Sequence, residues 1–299
     1  MKTNQNCCII IFEVNGVSDN NKNVTIINLP LEDIQVLHRI KPYLEKSFES
    51  HDLYEIYIFL NGNAKYYIEE NIYELVPGDV LLIPPGDMHR IDMQNQARDY
   101  ERIIFYIRIE YLKLLETTAC PLIEKLDEIA KQNHLIHFEK DDFDELIGQL
   151  NKLMTITAGD DFGKELLIRS YSTNIVISFI QNVLSNKNHS KQGQKTDLIS
   201  KVITYINDHI NEDLGLDFLA QTFYISKYHL LRKFKNHTHS TIYEYIVSKR
   251  IINAKRLLRE GYTAIEASKL CGFKDYPNFY KAFVSRTGIT PKEYKTLCK

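Results

Sequence analysis

Apolar and polar residues change rhythm twice along this chain. Between residues 51 and 110 the apolar positions come in short runs, "YEIYIFL" (Tyr54–Leu60), "AKYYIE" (Ala64–Glu69), "DVLLIP" (Asp79–Pro84) and "RIIFYIRI" (Arg102–Ile109). Asn61-Gly62-Asn63, Pro77-Gly78 and Pro84-Pro85-Gly86 punctuate them, which predicts short strands of a β-sandwich or small barrel. After about residue 110 apolar residues recur at spacings of three and four. "YLKLLETTACPLIEKLDEIAK" and "DDFDELIGQLNKLMTI" therefore read as amphipathic helices. Gly163–Leu184 reads as a longer helix, with more apolar residues than one packing face takes up. "SNKNHSKQGQKT" (Ser185–Thr196) is polar and aperiodic, a linker. Beyond it the pattern predicts helices at Asp197–Ile210, Leu216–Phe223, Ser226–Lys235, Thr241–Glu260, Ala264–Leu270, Pro277–Arg286 and Pro291–Leu297.

Within this helical stretch the chain repeats itself at an offset of 49 residues. Leu230, Arg232, Phe234, Thr238, Thr241, Glu244 and Tyr245 are answered by Phe279, Lys281, Phe283, Thr287, Thr290, Glu293 and Tyr294. Each copy reads as a short helix, a tight turn and a second helix rich in basic and polar residues, a helix-turn-helix. Leu219-Ala220 and Leu270 begin the packing faces, while Leu230 and Phe234, and Phe279 and Phe283, hold each second helix from beneath. At this offset Phe223 stands where the second copy has Gly272, so the two turns are expected to differ. Ser226, Lys227, Tyr228, Arg232 and Lys235 should face outward in one copy, and Tyr276, Asn278, Tyr280 and Lys281 in the other. These side chains suit phosphates and base edges. The intervening 20 residues, Thr241–Glu260, would span about 30 Å as a helix, close to the roughly 34 Å of one DNA turn. Val247, Ile251, Ala254 and Leu258 give that helix an apolar stripe for docking both units.

Charge separates the two parts. Residues 191–299 hold 19 Lys and Arg against 10 Asp and Glu, a net of +9, and residues 1–190 hold 18 against 29, a net of −11. A basic module behind an acidic one is expected when only the second meets a polyanion. The five cysteines, Cys7, Cys8, Cys120, Cys271 and Cys298, have neither zinc nor redox spacing and fit a reducing cytoplasm. Cys7-Cys8 lies in the apolar run Cys7–Phe12, too short for a secretory signal and read as strand packing. No run approaches the length of a membrane span.

"GFKDYPNFYKAFVSRTGITPKEY" resembles the C-terminal signature of the AraC/XylS family of transcription regulators, through Gly272-Phe273, Phe279, Phe283, Gly288, Thr290-Pro291 and Glu293-Tyr294. "RIINAKRLLREG" (Arg250–Gly261) is similar to the family's linker helix. In the first half, Gly78, Pro84, Gly86 and His89, with His51, Glu55 and Gly62, resemble the two cupin motifs. The resemblance implies an α+β chain: a cupin-like N-terminal β-barrel at 1–110, a helical dimerisation region at 111–184, a linker at 185–196, and an all-α domain with two helix-turn-helix units at 197–299. It also implies a cytoplasmic, non-enzymatic, sequence-specific regulator that binds double-stranded DNA, forms a homodimer and responds to a small-molecule effector, a sugar being the family-level expectation. RNA polymerase is left open as a further partner. Glu49, His51, Glu55 and His89 are the candidate effector residues. Glu49 occupies the first histidine position of metal-dependent cupins, so no metal or other cofactor is expected. A barrel that only dimerises, and a cupin metalloenzyme, are the alternatives.

Overall fold

The computed structural model describes residues 24–26, 33–40, 48–93, 100–185, 194–195 and 197–297. Cys7, Cys8, Cys298 and most of the expected linker lie outside them. Strands β1 (Val24–Ile26), β2 (Ile34–Arg39), β3 (Phe48–Ser50), β4 (Leu53–Asn61), β5 (Ala64–Ile68), β6 (Asn71–Leu75), β7 (Asp79–Ile83), β8 (His89–Asp92) and β9 (Glu101–Arg108) come first. Helices α1 (Ile109–Leu115) and α2 (Leu122–Gln132), strand β10 (Leu135–His137), and helices α3 (Lys140–Ala158) and α4 (Lys164–Ser185) follow. One sheet runs β1-β3-β8-β5-β6-β11, where β11 is Gln194–Lys195, and the other β10-β7-β4-β9-β2. They face each other as an open sandwich rather than a closed barrel.

The long apolar runs of β4, β7 and β9 reflect burial on both faces. Tyr54, Ile56, Ile58, Val80, Leu82, Ile103, Phe105 and Ile107 pack against Leu112, Leu126, Leu150, Val176 and Phe179 of the helices. Their neighbours in sequence, Leu53, Tyr57, Phe59, Leu81, Ile83, Ile104 and Tyr106, fill the space between the sheets. This alternation aims Glu55 inward, between Leu53 and Tyr57. The single helix expected across 111–131 is two. Glu116–Pro121 interrupts it with a Thr117–Cys120 bridge, and Pro121, which cannot donate to a preceding turn, sits at the N-cap of α2. The expected linker ends in structure too, because β11 pairs antiparallel with β6.

The C-terminal domain is helical throughout: α5 (Asp197–Asp208), α6 (Leu216–Thr222), α7 (Lys227–Thr238), α8 (Ile242–Arg259), α9 (Ala264–Leu270), α10 (Tyr276–Thr287) and α11 (Pro291–Leu297). The repeat survives at the level of single bonds. Thr241 and Glu244 form a capping box at α8, and Thr290 and Glu293 exchange equivalent bonds at α11. Thr238 and Thr287 each bond the carbonyl four residues back. The expected difference between the two turns is absent. Tyr224 takes the left-handed backbone (φ 53°) that Gly272 takes (φ 78°), with Ile225 N–H bonding the Ala220 carbonyl as Phe273 N–H bonds that of Ser268. The first helices are related by 48 residues and the second by 49, because the second loop carries one more residue before its N-cap, Asp275 against Ser226. A single offset therefore misaligned the turns.

The apolar stripe of α8 is also divided differently. Val247, Ile251, Ala254 and Leu258 all lie in the core of the second unit, whereas Ile242, Tyr245 and Ile246 hold the first. That first core includes two residues of the N-terminal domain, Phe48 and Met88. Each is fully buried and contributes about 1.5–3 kcal/mol. The two domains thus share one apolar core.

Candidate functional site

All nine residues expected to face DNA are exposed: Ser226, Lys227, Tyr228, Arg232 and Lys235 on or beside α7, and Tyr276, Asn278, Tyr280 and Lys281 on α10. Leu230, Phe234, Phe279 and Phe283 lie beneath them, buried. Ser226 caps α7 by accepting from the His229 N–H, so its hydroxyl serves the helix first. Asn278 donates to Asp275 at 2.6 Å, and Lys227 pairs with Asp217. The Arg232 guanidinium lies 6.0 Å from the Tyr228 ring centroid. Tyr224, fully exposed in its turn, joins this surface; its apolar ring gave the sequence reading no reason to place it there.

The other candidate residues converge between the sheets. Glu49 on β3 is paired across the ladder with His89 on β8, His51 lies in the short connection that follows β3, and Glu55 sits near the start of β4, the opposite sheet's central strand. His51 Nδ1 donates to the Leu53 carbonyl at 3.1 Å and His89 Nδ1 to the Asp87 carbonyl at 2.9 Å. Since a carbonyl only accepts, each Nδ1 carries a proton; both Nε2 atoms turn inward, and that of His51 donates to the Glu55 carboxylate. His51 Nε2 lies 2.8 Å from Glu55 Oε2, and His89 Nε2 lies 3.6 Å from both Glu55 Oε2 and Glu49 Oε1. His89 Nε2 is buried with no hydrogen-bond partner, an arrangement that costs about 1–3 kcal/mol.

Burial pushes the His89 imidazole down to about 4, against the pull of Glu55, so the ring is neutral at pH 7. Burial works to raise the Glu55 carboxyl, yet the hydrogen bond from His51 and the positive charge of nearby Arg102 help carry it below the usual range. His51, Glu55 and His89 offer three ligand atoms within 4.8 Å of one another. Ligands about 2.1 Å from a metal are themselves roughly 3.0–3.4 Å apart, so these residues fit an ion in size and donor type. They do not line the roomiest described cleft. That space, about 760 Å3, lies outside the sheets against Tyr73, Asp87, Asp127, Asn133 and His134.

What sequence reading missed is the seam between this cluster and α8. Glu69, held at φ 50° in the β5–β6 turn, accepts from Met88 N–H (2.7 Å), Lys249 Nζ (2.6 Å), Asn207 Nδ2 (3.2 Å) and the Tyr245 hydroxyl. Lys249 also donates to the Gly86 carbonyl at 2.9 Å. Asp52, next to His51, is met by Lys255 (3.3 Å), Arg259 and the Tyr294 hydroxyl (2.8 Å). Burial opposes ionisation of Asp52, but Lys255 and Arg259 hold its carboxyl well below the ordinary carboxylate range. The signal was present: Lys249, Lys255 and Arg259 punctuate a helix otherwise apolar on that side.

A sheet domain with an inward polar cluster, locked to paired helix-turn-helix units, defines a DNA-binding transcription regulator with a ligand-binding domain. Residues 35–120 match the AraC-like ligand binding domain and residues 219–296 a helix-turn-helix domain. The chain belongs to the AraC/XylS family of transcriptional regulators, and double-stranded DNA is its partner. It is 26% identical over 257 residues to the HTH-type transcriptional regulator YfiF of Bacillus subtilis, covering 83% of this chain and 78% of that one. It is 26% identical over 234 residues to the arabinose operon regulatory protein of Escherichia coli, covering 75% and 73%. ToxT of Vibrio cholerae, a solved structure, aligns over 89% of this chain and 98% of its own at 15% identity, with a TM-score of 0.36. Among the described residues no helix is long and apolar enough to cross a membrane.

Proposed function

We propose that this regulator responds to a small effector at the cluster of Glu49, His51, Glu55 and His89, and that the response reaches DNA through α8. The observation that carries the reading is the shared seam. Phe48 and Met88 lie in the core of the first helix-turn-helix unit, each one residue from a member of the cluster. An effector that binds two arrangements of this seam unequally shifts the balance between them by that difference in affinity. A sugar, the effector class that the arabinose regulator's name suggests, needs a pocket of roughly 300 Å3 or more.

At the DNA, α7 and α10 each enter a major groove, spaced by α8. The 18 residues of α8 make it about 27 Å long. Footprinting of the full chain on selected operator DNA should show two protected segments about 10 bp apart on one face. Arg232→Ala should cost about 1–3 kcal/mol and relax specificity at one base pair, and Lys281→Ala should weaken all sequences alike and lower the salt slope by about one. Protection confined to one groove would make the second unit structural.

A further inference from the structure

We propose that the α3–α4 pair binds a small aliphatic diamine, with one ammonium group on Asp142 and the other on Glu145. The site is separate from the cluster between the sheets, and none of Glu49, His51, Glu55 or His89 lines it.

The helical repeat builds it. Asp142, Glu145 and Gln149 follow one another at spacings of three and four, so they share one face of α3. The short connection 159–163 turns the chain back, which brings the end of α4 beside the start of α3. There Asn182 Nδ2 donates to Asp142 Oδ2 at 2.7 Å. These residues line a cavity of about 320 Å3, floored by the stacked rings of Phe138 and Phe179. That space is large enough for a small organic ligand.

Three observations point to a cation that carries N–H donors. Both amides face one way: Asn182 gives its NH2 to Asp142, and Gln149 gives Nε2 to Glu145 Oε1 at 3.1 Å. A carboxylate only accepts, so each amide is fixed with its oxygen turned from that bond. Those two oxygens, Asn182 Oδ1 and Gln149 Oε1, are buried with no hydrogen-bond partner, and Asn182 as a whole is only 9% exposed. A bound donor is what such oxygens lack. The charge around them has one sign, since two carboxylates line the cavity and no described lysine, arginine or histidine does. The last turn of α4, the negative end of its dipole, has no basic residue either.

The pairing selects a diamine. Asp142 stands with the Asn182 oxygen and Glu145 with that of Gln149, which makes two equivalent stations. Residues three apart on a helix have Cβ atoms about 5–6 Å apart, a gap that a short methylene chain bridges while lying on the rings. The ring faces also attract ammonium groups. Calcium takes six to eight oxygens, more than two carboxylates and two amides supply, and it would leave the apolar floor unfilled.

The test is calorimetric titration of the full chain with putrescine at physiological salt. One putrescine per chain should bind, and n-butylamine, with a single ammonium group, should bind at least about tenfold more weakly, as loss of one charge-assisted hydrogen bond implies. Asp142→Asn and Gln149→Met should each weaken putrescine by a similar factor and keep the circular dichroism of the wild type. Should either variant fail to fold, the comparison of the two amines on the wild type decides alone. No saturable uptake of putrescine would overturn the site and leave its oxygens to water. Equal binding of butylamine would overturn the second station. Undiminished binding by Asp142→Asn combined with Glu145→Gln would place the diamine elsewhere on this acidic domain and overturn the assignment. Displacement by equimolar Ca2+ would overturn the organic ligand in favour of a metal.

Discussion

A carbon atom added at Gly272 would lie 2.5 Å from the Asn211 carbonyl oxygen, and the backbone there is left-handed besides. Both facts bear on one substitution. Gly272→Ala should destabilise the C-terminal domain by more than about 1 kcal/mol, since Asn211 and Gly272 are where the two helix-turn-helix units touch, and thermal melting of the full chain reads it directly. The neighbouring Cys271 thiol tells of the same tight packing. Burial pushes it up to about 12, against Arg256 and Arg250. A thiol raised from 9 stays neutral in the fold, so its burial stabilises fully below about pH 9, and that contribution is lost between about pH 9 and 12, where only the unfolded chain ionises freely. At pH 8 iodoacetamide should therefore modify half-buried Cys120 well before Cys271, as peptide mapping would show. Equal rates would mean that the second unit opens readily.

At the scale of elements, α8 sets the spacing of the two DNA-reading helices. Two residues inserted near Lys249 would rotate one unit by roughly 200° relative to the other. Operator affinity should fall far more than for Arg232→Ala, and retained affinity would show that the units read DNA independently. Much of this architecture was legible in the chain, because helix period, caps and the doubled signature are local properties. The strands that escaped, β1, β2, β3, β6, β8, β10 and β11, are two to six residues long, and the shortest owe their conformation to a neighbour rather than to their own pattern. The grouping of Glu49, His51, Glu55 and His89 was legible only through the resemblance to the cupin motifs. The partners of Glu69 and Asp52 were not legible, for they lie up to 242 residues away.

At the scale of the molecule, Glu69 ties the domains together through Lys249, Asn207 and Tyr245. Glu69→Ala leaves Lys249 with the Gly86 carbonyl and a more distant Asp87, so the cost should approach about 3 kcal/mol, the lower end for removing one partner of a buried pair. Hydrogen exchange should quicken in α8 ahead of α3 and α4, and uniform quickening would place the effect on the whole fold instead. Assembly belongs to this scale as well. Leu114, Phe162, Leu166 and Leu167 are exposed around the start of α4, and a patch of this kind marks a docking surface. Light scattering should report a dimer at tens of micromolar. Leu166→Glu with Phe162→Glu should yield monomers that keep their melting temperature.

Phe48 and Met88 carry one more consequence, which concerns inheritance rather than mechanics. A sensor and a reader joined only by a tether can be traded between proteins like interchangeable parts. Here a graft of residues 197–297 onto a foreign sensor would leave the core of its first unit without Phe48 and Met88, and the orphaned sensor would show solvent those two apolar side chains. Such a chimera should be sticky and poorly soluble until those positions are rewritten. Replacing Phe48 alone should be tolerated best where the core it enters changes with it, so that neither half of this regulator is free to drift without the other.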